Sequence, residues 1–333
     1  MATRLQTRRT PFNENTRTAL ESRPHMNQST KMIIIGSRGS ALALAQAGWV
    51  QNQILKHFPD AEVTIRVIKT SADKNPTVSI RSSSSVGVFV KELEQALTEK
   101  EIDIAVHSMK DLPNSIPDGL RIAAVPERED ARDAFIANKI ASLSELPSGS
   151  LVGTGSIRRK SQLLALRPDL RVLDIRGNVD TRLKKLQDGA YDAIVLACAG
   201  LNRLGLHTRI SSPIEFAQML PAPGQGALAI ETRVDDSRAT DMASVLNHAP
   251  TAAAVSAERL FLQFMGGGCN VPVAVYAQLN RDLIEMDGLV ASPDGRRIIR
   301  DSVRQKPDRI NEAVESLARR ILENGGRAIL DAL

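Results

Sequence analysis

Residues 150–200 read SLVGTGSIRRKSQLLALRPDLRVLDIRGNVDTRLKKLQDGAYDAIVLACAG. Three apolar, β-branched runs (150–155, 170–177 and 191–200) are separated by two segments of helical period, 156–166 and 178–189. Apolar runs of this length suit strands covered on both faces. Their alternation with helices predicts a mostly parallel sheet, because parallel neighbours need a crossover long enough to hold a helix. The same rhythm opens the chain, with KMIIIG (31–36), a helix over 40–58, EVTIRVIKT (62–70), a helix over 89–100 and IDIAVHS (102–108). Two doubly wound α/β domains are therefore expected.

The stretch MLPAPGQGALAIETR (219–233) is rich in Pro and Gly before it turns strand-like, and it reads as a crossover back to the first domain. From residue 249 the pattern changes to a helix, TAAAVSAERLFLQFM, and three strands, VPVAVYAQL, LIEMDGLV and RRIIRDSV. A PDG turn joins the second and third strands, and a last helix covers 309–324, which makes a small C-terminal α+β domain. The expected division is 31–128 with 225–245 as domain 1, 129–224 as domain 2 and 249–333 as domain 3.

A chain of 333 residues with 42% hydrophobic and 24% charged residues has the composition of a soluble globular protein, and no apolar run is long enough to span a bilayer. Its two cysteines, Cys198 and Cys269, are far apart in unlike contexts, which points away from a disulfide framework and towards a reducing compartment. The net charge of +5 admits nucleic acid as a partner, but aromatics make up only 3% and no nucleic-acid module is legible. Residues 1–30 are polar and Arg-rich without an apolar segment, so they are not a secretory signal, and Glu14 and Glu21 argue against a transit peptide. They read as a disordered N-terminal extension or as the product of an upstream start codon, with Met26 or Met32 as the alternative start. The expected location is cytoplasmic, or plastid if 1–30 is a transit peptide.

The arginines fall in a pattern. Arg38 follows the first strand, Arg158 and Arg159 open the helix after Ser156, Arg176 ends a strand, Arg182 lies on the helix after it, and Arg203 follows the strand 191–198. In open α/β sheets, ligands bind at the carboxyl ends of the strands. Cations in a helix's first turn oppose its macrodipole, at a cost of up to about 1 kcal/mol each. One such arginine is a solvated surface charge, whereas the repetition calls for an anion. No GxxxxGK[ST] loop and no GxGxxG follows a strand, so separate carboxylates fit better than phosphate or a dinucleotide.

The segment IDIAVHSMKDLP places His107, Ser108, Lys110 and Asp111 at the same kind of edge. There Asp111 can hold a developing cation or act as an acid/base, and Lys110 would keep it ionised; a surface turn is the plainer alternative. His107 reads as structural, since alternation puts it on a packed face. The five histidines are scattered and suggest no metal site. Cys198 in IVLACAG reads as core filler, whereas Cys269 in MGGGCNVPV sits on a loop whose glycines permit close approach, so inert and reactive thiols both remain open.

Taken together, IGSRGSALALAQA, FVKELEQAL, DIAVHSMKDLP, REDARDAF, VGTGSIRRKSQLL, RGNVDTRL, YDAIVLACAGLNRLGL, PAPGQGALAIE, AERLFL and GGGCNVPV resemble the hydroxymethylbilane synthase (porphobilinogen deaminase) family, in the family's order from about residue 32 onward. The resemblance implies two lobes of the type II periplasmic-binding-protein kind with the active cleft between them, and a third domain carrying Cys269. It implies that Cys269 forms a thioether to a dipyrromethane cofactor made from the enzyme's own substrate. Four porphobilinogens would then be added in turn, each losing ammonia to give an azafulvene that the terminal pyrrole attacks, before hydrolysis releases the linear tetrapyrrole. By the same resemblance, Arg38, Ser40, Arg158, Arg159, Arg176, Arg182 and Arg203 bind the acetates and propionates, with Lys110 and Ser156 beside them. Asp111 faces the pyrrole N–H groups, and Phe89 packs on a ring. The family further implies a monomer whose product passes to uroporphyrinogen-III synthase, with no nucleic-acid or membrane partner.

The chain departs from the family pattern in the loop RSSSSVGVF (81–89), where Val86 and Ser82 stand at positions usually held by lysines, and more mildly at Gly155, Pro223 and Gly266. A non-catalytic polycarboxylate binder on the same fold is the alternative reading. It would leave Asp111 and Cys269 together without a purpose.

Overall fold

A computed structural model describes residues 32–68, 90–266 and 271–333. Strand β1 (Met32–Ser37) leads to helix α1 (Ala41–His57), β2 (Glu62–Val67), α2 (Lys91–Thr98), β3 (Ile104–Ser108) and β4 (Leu120–Ala124). Next come β5 (Asp133–Ala137), β6 (Leu151–Gly153), α3 (Ile157–Leu166), β7 (Arg171–Leu173), α4 (Val179–Gln187), β8 (Ala193–Ala197), α5 (Cys198–Arg203) and β9 (Ser212–Ile214). The chain continues with β10 (Leu228–Arg233), α6 (Ser237–Ser244), α7 (Ala249–Phe264), β11 (Val273–Asn280), β12 (Leu283–Ala291), β13 (Ile298–Gln305), α8 (Ile310–Ile321) and α9 (Arg327–Leu330).

Two five-stranded sheets share one plan. The first runs β2-β1-β3-β10-β4 and the second β7-β6-β8-β5-β9. In each, three strands are parallel and the fourth, inserted from a distant part of the chain, is antiparallel to both neighbours. That order, with β5 entering the second lobe and β10 returning to the first, is the type II periplasmic-binding-protein arrangement. The two crossovers touch where Glu129 N–H donates to the Gly226 carbonyl at 3.1 Å. Gly226 has φ +88, and a Cβ there would sit 2.4 Å from the Glu129 carbonyl oxygen, so only glycine allows this approach.

The third sheet, β11-β12-β13, is an antiparallel meander. Its core forms where α8 turns Val314, Leu317 and Ile321 against Phe261 of α7 and Val275, Ile284 and Met286 of the sheet. The α8 spacing is the 3.6-residue period of a one-sided helix.

Three differences from the sequence reading have physical causes. The strand expected over 170–177 stops at Leu173, and the backbone then leaves the ladder towards Arg176. The strand expected over 191–200 ends at Ala197, and Cys198 begins α5. There the Cys198 N–H makes one more bond in register with the β5–β8 pairing, to the Arg132 carbonyl, before the chain turns into the helix. Strands β4, β5 and β9 and helix α6 add to the pattern read from the sequence: β5 (DAFIA) is too short to show a period, and β9 (SPI) contains a proline.

Candidate active site

At the carboxyl end of β3 the chain makes one short turn, Met109–Asp111. Met109 anchors it: the side chain is 2% exposed and its N–H donates to the Ala227 carbonyl at 3.0 Å. Burying such a side chain contributes about 1.5–3 kcal/mol. Gly224, with φ +71, lies against it, where a Cβ would come within 2.6 Å of Met109 Cγ. With Met109 pinned inward, Lys110 is half-buried and Asp111 exposed. The Asp111 carboxylate makes no hydrogen bond or ion pair among the described residues, so the fold leaves it to act. Below the turn, His107 Nε2 and Glu231 Oε2 are 2.8 Å apart in the buried sheet, which keeps His107 out of the cleft. Ser108 Oγ accepts from Gln46 Nε2 at 2.9 Å, tying the end of β3 to α1.

On the second lobe Ser156 caps α3, its Oγ accepting from the Arg159 N–H at 3.4 Å. Ser40 caps α1 in the same way, accepting from Ala43 N–H at 3.3 Å. In both, the hydroxyl oxygen serves the helix while its hydrogen remains available to an acceptor. Arg158 and Arg159 are buried, 4% and 6% exposed, and both grip Asp133, which is fully buried. Arg158 donates to the two Asp133 carboxylate oxygens at 2.7 and 3.3 Å and to the Leu220 carbonyl at 2.6 Å. Arg159 Nε donates to Asp133 Oδ1 at 2.9 Å, and Gln225 of the returning crossover donates to the same oxygen at 2.8 Å. Burial alone would raise the Asp133 carboxyl; the Arg158 and Arg159 guanidiniums outweigh it and hold it well below the usual carboxylate range. Arg158 Nε stays buried without an acceptor among the described residues.

The two lobes meet electrostatically at Lys110. Desolvation pushes its ammonium down to about 8; Asp111 and Asp133 oppose the shift, and Arg159 and Arg158 add to it. Arg182 is lowered by desolvation and then by Arg159, while its Nε donates to the Gly177 carbonyl at 2.7 Å. Lys110, Arg158, Arg159 and Arg182 thus act on one another, and among the described residues Asp111 and Asp133 are the carboxylates that act on Lys110. A desolvated excess of positive charge fits a polycarboxylate, since an added anion relieves the repulsion and can take the Arg158 Nε hydrogen. The dipyrromethane implied by the resemblance bears several carboxylates, so this donor set suits it.

The remaining sequence-predicted residues stand at other points. Arg176 is exposed beyond β7, and Arg38 is half-buried after β1. Arg203 is at the crossovers, its Nη2 donating to the Gly226 carbonyl at 2.7 Å; desolvation pushes it down to about 10 against the pull of Glu129. Cys198 is buried, and burial pushes its thiol up to about 12, the state of an inert filler. Cys269, Phe89, Ser82 and Val86 lie outside the described residues. Sequence reasoning missed Asp133 and Gln225. The available signal was a charged residue opening a short apolar strand, since buried acids need partners.

The family model for the porphobilinogen deaminase dipyrromethane cofactor-binding domain matches residues 33–241, and that for the porphobilinogen deaminase C-terminal domain matches 252–323. The chain belongs to the porphobilinogen deaminase family. Family members are transferases of tetrapyrrole biosynthesis, and this member carries the family's cofactor-binding domain. It is 47% identical over 301 residues to the porphobilinogen deaminase of Thermus thermophilus, covering 90% of this chain and 98% of that protein. It is 46% identical over 305 residues to that of Nitrosomonas europaea, covering 92% and 99%. Among solved structures, the methionine-binding protein MetQ overlaps with a TM-score of 0.42 at 15% identity, over 65% of this chain and 90% of that one. No helix among the described residues of this porphobilinogen deaminase family member is long and apolar enough to cross a membrane.

Proposed function

We propose that the protein is a hydroxymethylbilane synthase that joins four porphobilinogens head to tail on a dipyrromethane held by Cys269 and then releases the linear tetrapyrrole by hydrolysis. The observation that carries this reading is the cationic cluster of Lys110, Arg158, Arg159 and Arg182 set against Asp111. The proposed domains are 31–128 with 225–245, 129–224 and 249–333.

The bound dipyrromethane supplies the nucleophilic pyrrole carbon to which the first substrate is joined. Arg38, Arg158, Arg159, Arg176, Arg182, Arg203 and Lys110 hold acetate and propionate groups, and Ser40 and Ser156 donate their hydroxyl hydrogens. Phe89 packs on a pyrrole ring. In each cycle the substrate's C–N bond breaks and ammonia leaves; a C–C bond then forms and the attacking pyrrole α-carbon gives up its proton. Asp111 accepts a hydrogen bond from the pyrrole N–H and balances the positive charge that develops as ammonia departs. An exposed but fixed carboxylate suits this role, because preorganised charge acts without reorganisation in the transition state. The enzyme is proposed to act as a cytoplasmic monomer and to pass its product to uroporphyrinogen-III synthase.

Intact-protein mass tests the reading. Protein from porphobilinogen-competent cells should carry an adduct of two pyrrole units, which should be absent from Cys269→Ala. An unmodified wild-type thiol would overturn the proposal and favour a non-catalytic binder.

Lys110 supplies a second test. Its ammonium loses its proton as pH rises, so below about 8 it is charged and above about 8 it is neutral. Since kcat/KM reports the free enzyme, it should fall as pH rises through about 8 in the wild type. In Lys110→Arg, which stays charged, that alkaline limb should vanish. An unchanged limb in Lys110→Arg would assign the titration to another group.

A further inference from the structure

Helix α7 runs into Met265 and Gly266, three residues before Cys269 in sequence. Two successive residues of this helix hold the rest of the molecule. Glu258 is fully buried and accepts from Arg128 Nη1 and Nη2 at 2.7 and 3.1 Å, from Gly224 N–H at 2.6 Å and from Ala277 N–H at 2.8 Å. It thereby joins both crossovers to the third sheet. Arg259 reaches the other way, to the stretch that carries Asp111. Its Nη1 donates to the Leu112 carbonyl at 3.2 Å, and its Nη2 donates to the Pro113 and Asn114 carbonyls at 2.6 and 3.1 Å. Nη1 also lies 3.8 Å from Met109 Sδ, on the opposite side of Asp111 in sequence.

These contacts are unusual for an arginine in two respects. Among the described residues Arg259 has no carboxylate partner, and its acceptors are a sulfur and three successive backbone carbonyls. Desolvation lowers its pKa, so the charge sits in a partly dry place against these carbonyl dipoles. Second, residues 112–116 belong to no strand or helix, and Pro113 lacks an N–H to donate. Among the described residues the guanidinium is the donor to the Leu112, Pro113 and Asn114 carbonyls. Arginine's planar fork can serve several acceptors at once, whereas a lysine ammonium cannot match that geometry.

We propose that Arg259 is a positioning residue for Asp111, fixing the Met109–Asn114 segment in register with the helix that leads to Cys269. It touches no reacting atom. It sets the place of the carboxylate on its turn, so that Asp111 meets each successive pyrrole in the same geometry. The inference rests on the assignment of Asp111 made above.

The test uses holoenzyme whose cofactor loading has been checked by mass. Arg259→Met keeps the aliphatic stem and removes the fork. Small misplacements of a catalytic group can cost on the order of a hundredfold, so kcat should fall by roughly 30- to 100-fold with KM within about twofold of wild type. Hydrogen exchange of the Leu112, Asn114, Ser115 and Ile116 amides should be about tenfold faster, with α7 unchanged. In an Asp111→Glu background, where the carboxylate is already displaced, the same substitution should cost less than about fivefold, because coupled sites are non-additive.

A wild-type kcat in Arg259→Met, or an equal fold loss in both backgrounds, would overturn the proposal. Arg259→Lys keeps the charge and part of the bonding. It should give an intermediate kcat, and it decides the matter if the methionine variant does not fold, since a wild-type kcat there overturns the proposal as well. The two assignments fail separately: wild-type turnover by Asp111→Ala removes the role of Asp111, whereas an inactive Asp111→Ala beside a fully active Arg259→Met removes only that of Arg259.

Discussion

Asp111→Ala is expected to lose nearly all turnover, by a factor on the order of 10²–10³ or more, as when a single preorganised charge-stabilising group is removed from an active site. The fold should survive. The turn is held by Met109 and the Ala227 carbonyl, and the Asp111 side chain is exposed. Surface substitutions away from such anchors change stability by about 0.5 kcal/mol or less. The melting temperature should therefore stay within a degree or two of wild type, about what such a change produces in a domain of 150–250 residues. Asp111→Asn refines the result, since it retains an acceptor for the pyrrole N–H without the charge. If charge is what matters, its rate should lie close to that of the alanine variant. Wild-type rates from purified Asp111→Ala in a porphobilinogen-consumption assay would remove the residue from the mechanism.

Asp133→Ala should show the largest loss of stability. Removing this carboxylate leaves Arg158 and Arg159 buried together without their counter-charge and deprives the Gln225 amide of an acceptor. Breaking a buried pair in this way costs about 3–5 kcal/mol. Denaturant unfolding at pH 7 measures it, and an unchanged midpoint would mean that the arginines find other partners. The pH dependence has a definite sign. The folded carboxyl lies below its unfolded value, so the contribution of Asp133 is complete above about pH 4 and is lost as pH falls towards the folded value. The gap between wild type and Asp133→Asn should thus be widest at neutral pH and narrow on acidification. The KM for porphobilinogen should rise as well, because the two guanidiniums are proposed to hold its carboxylates.

The alternation of strands and helices was legible because its signals are local. Apolar runs such as Met32–Ser37 and the period of α8 need no knowledge of distant residues. The return of the chain through 219–233 was also legible, since Pro and Gly cluster there. Strand β5, which follows the outgoing crossover, was not, because DAFIA is too short to show a period.

The site divides along the same line. Cations at strand ends stand out in the sequence, but the acid that holds two of them lies 25 residues upstream of Arg158 and gave no spacing rule. Arg259 is harder still. Within AERLFL it looks like one more polar position on a helix, and the carbonyls it grips are about 145 residues away. Tertiary contact alone gives such residues their meaning.

The inserted antiparallel strands also bear on synthesis. All five strands of the second sheet lie between Asp133 and Ile214, whereas β4 is joined to the first sheet only through β10, which begins at Leu228. A growing chain that has just passed residue 214 therefore holds every strand of the later lobe, while the earlier lobe still has an open slot between β3 and β4. The lobe that emerges first is the last to close. Until Arg233 has left the ribosome, the turn bearing Asp111 lacks the neighbouring strand that fixes its height above the sheet.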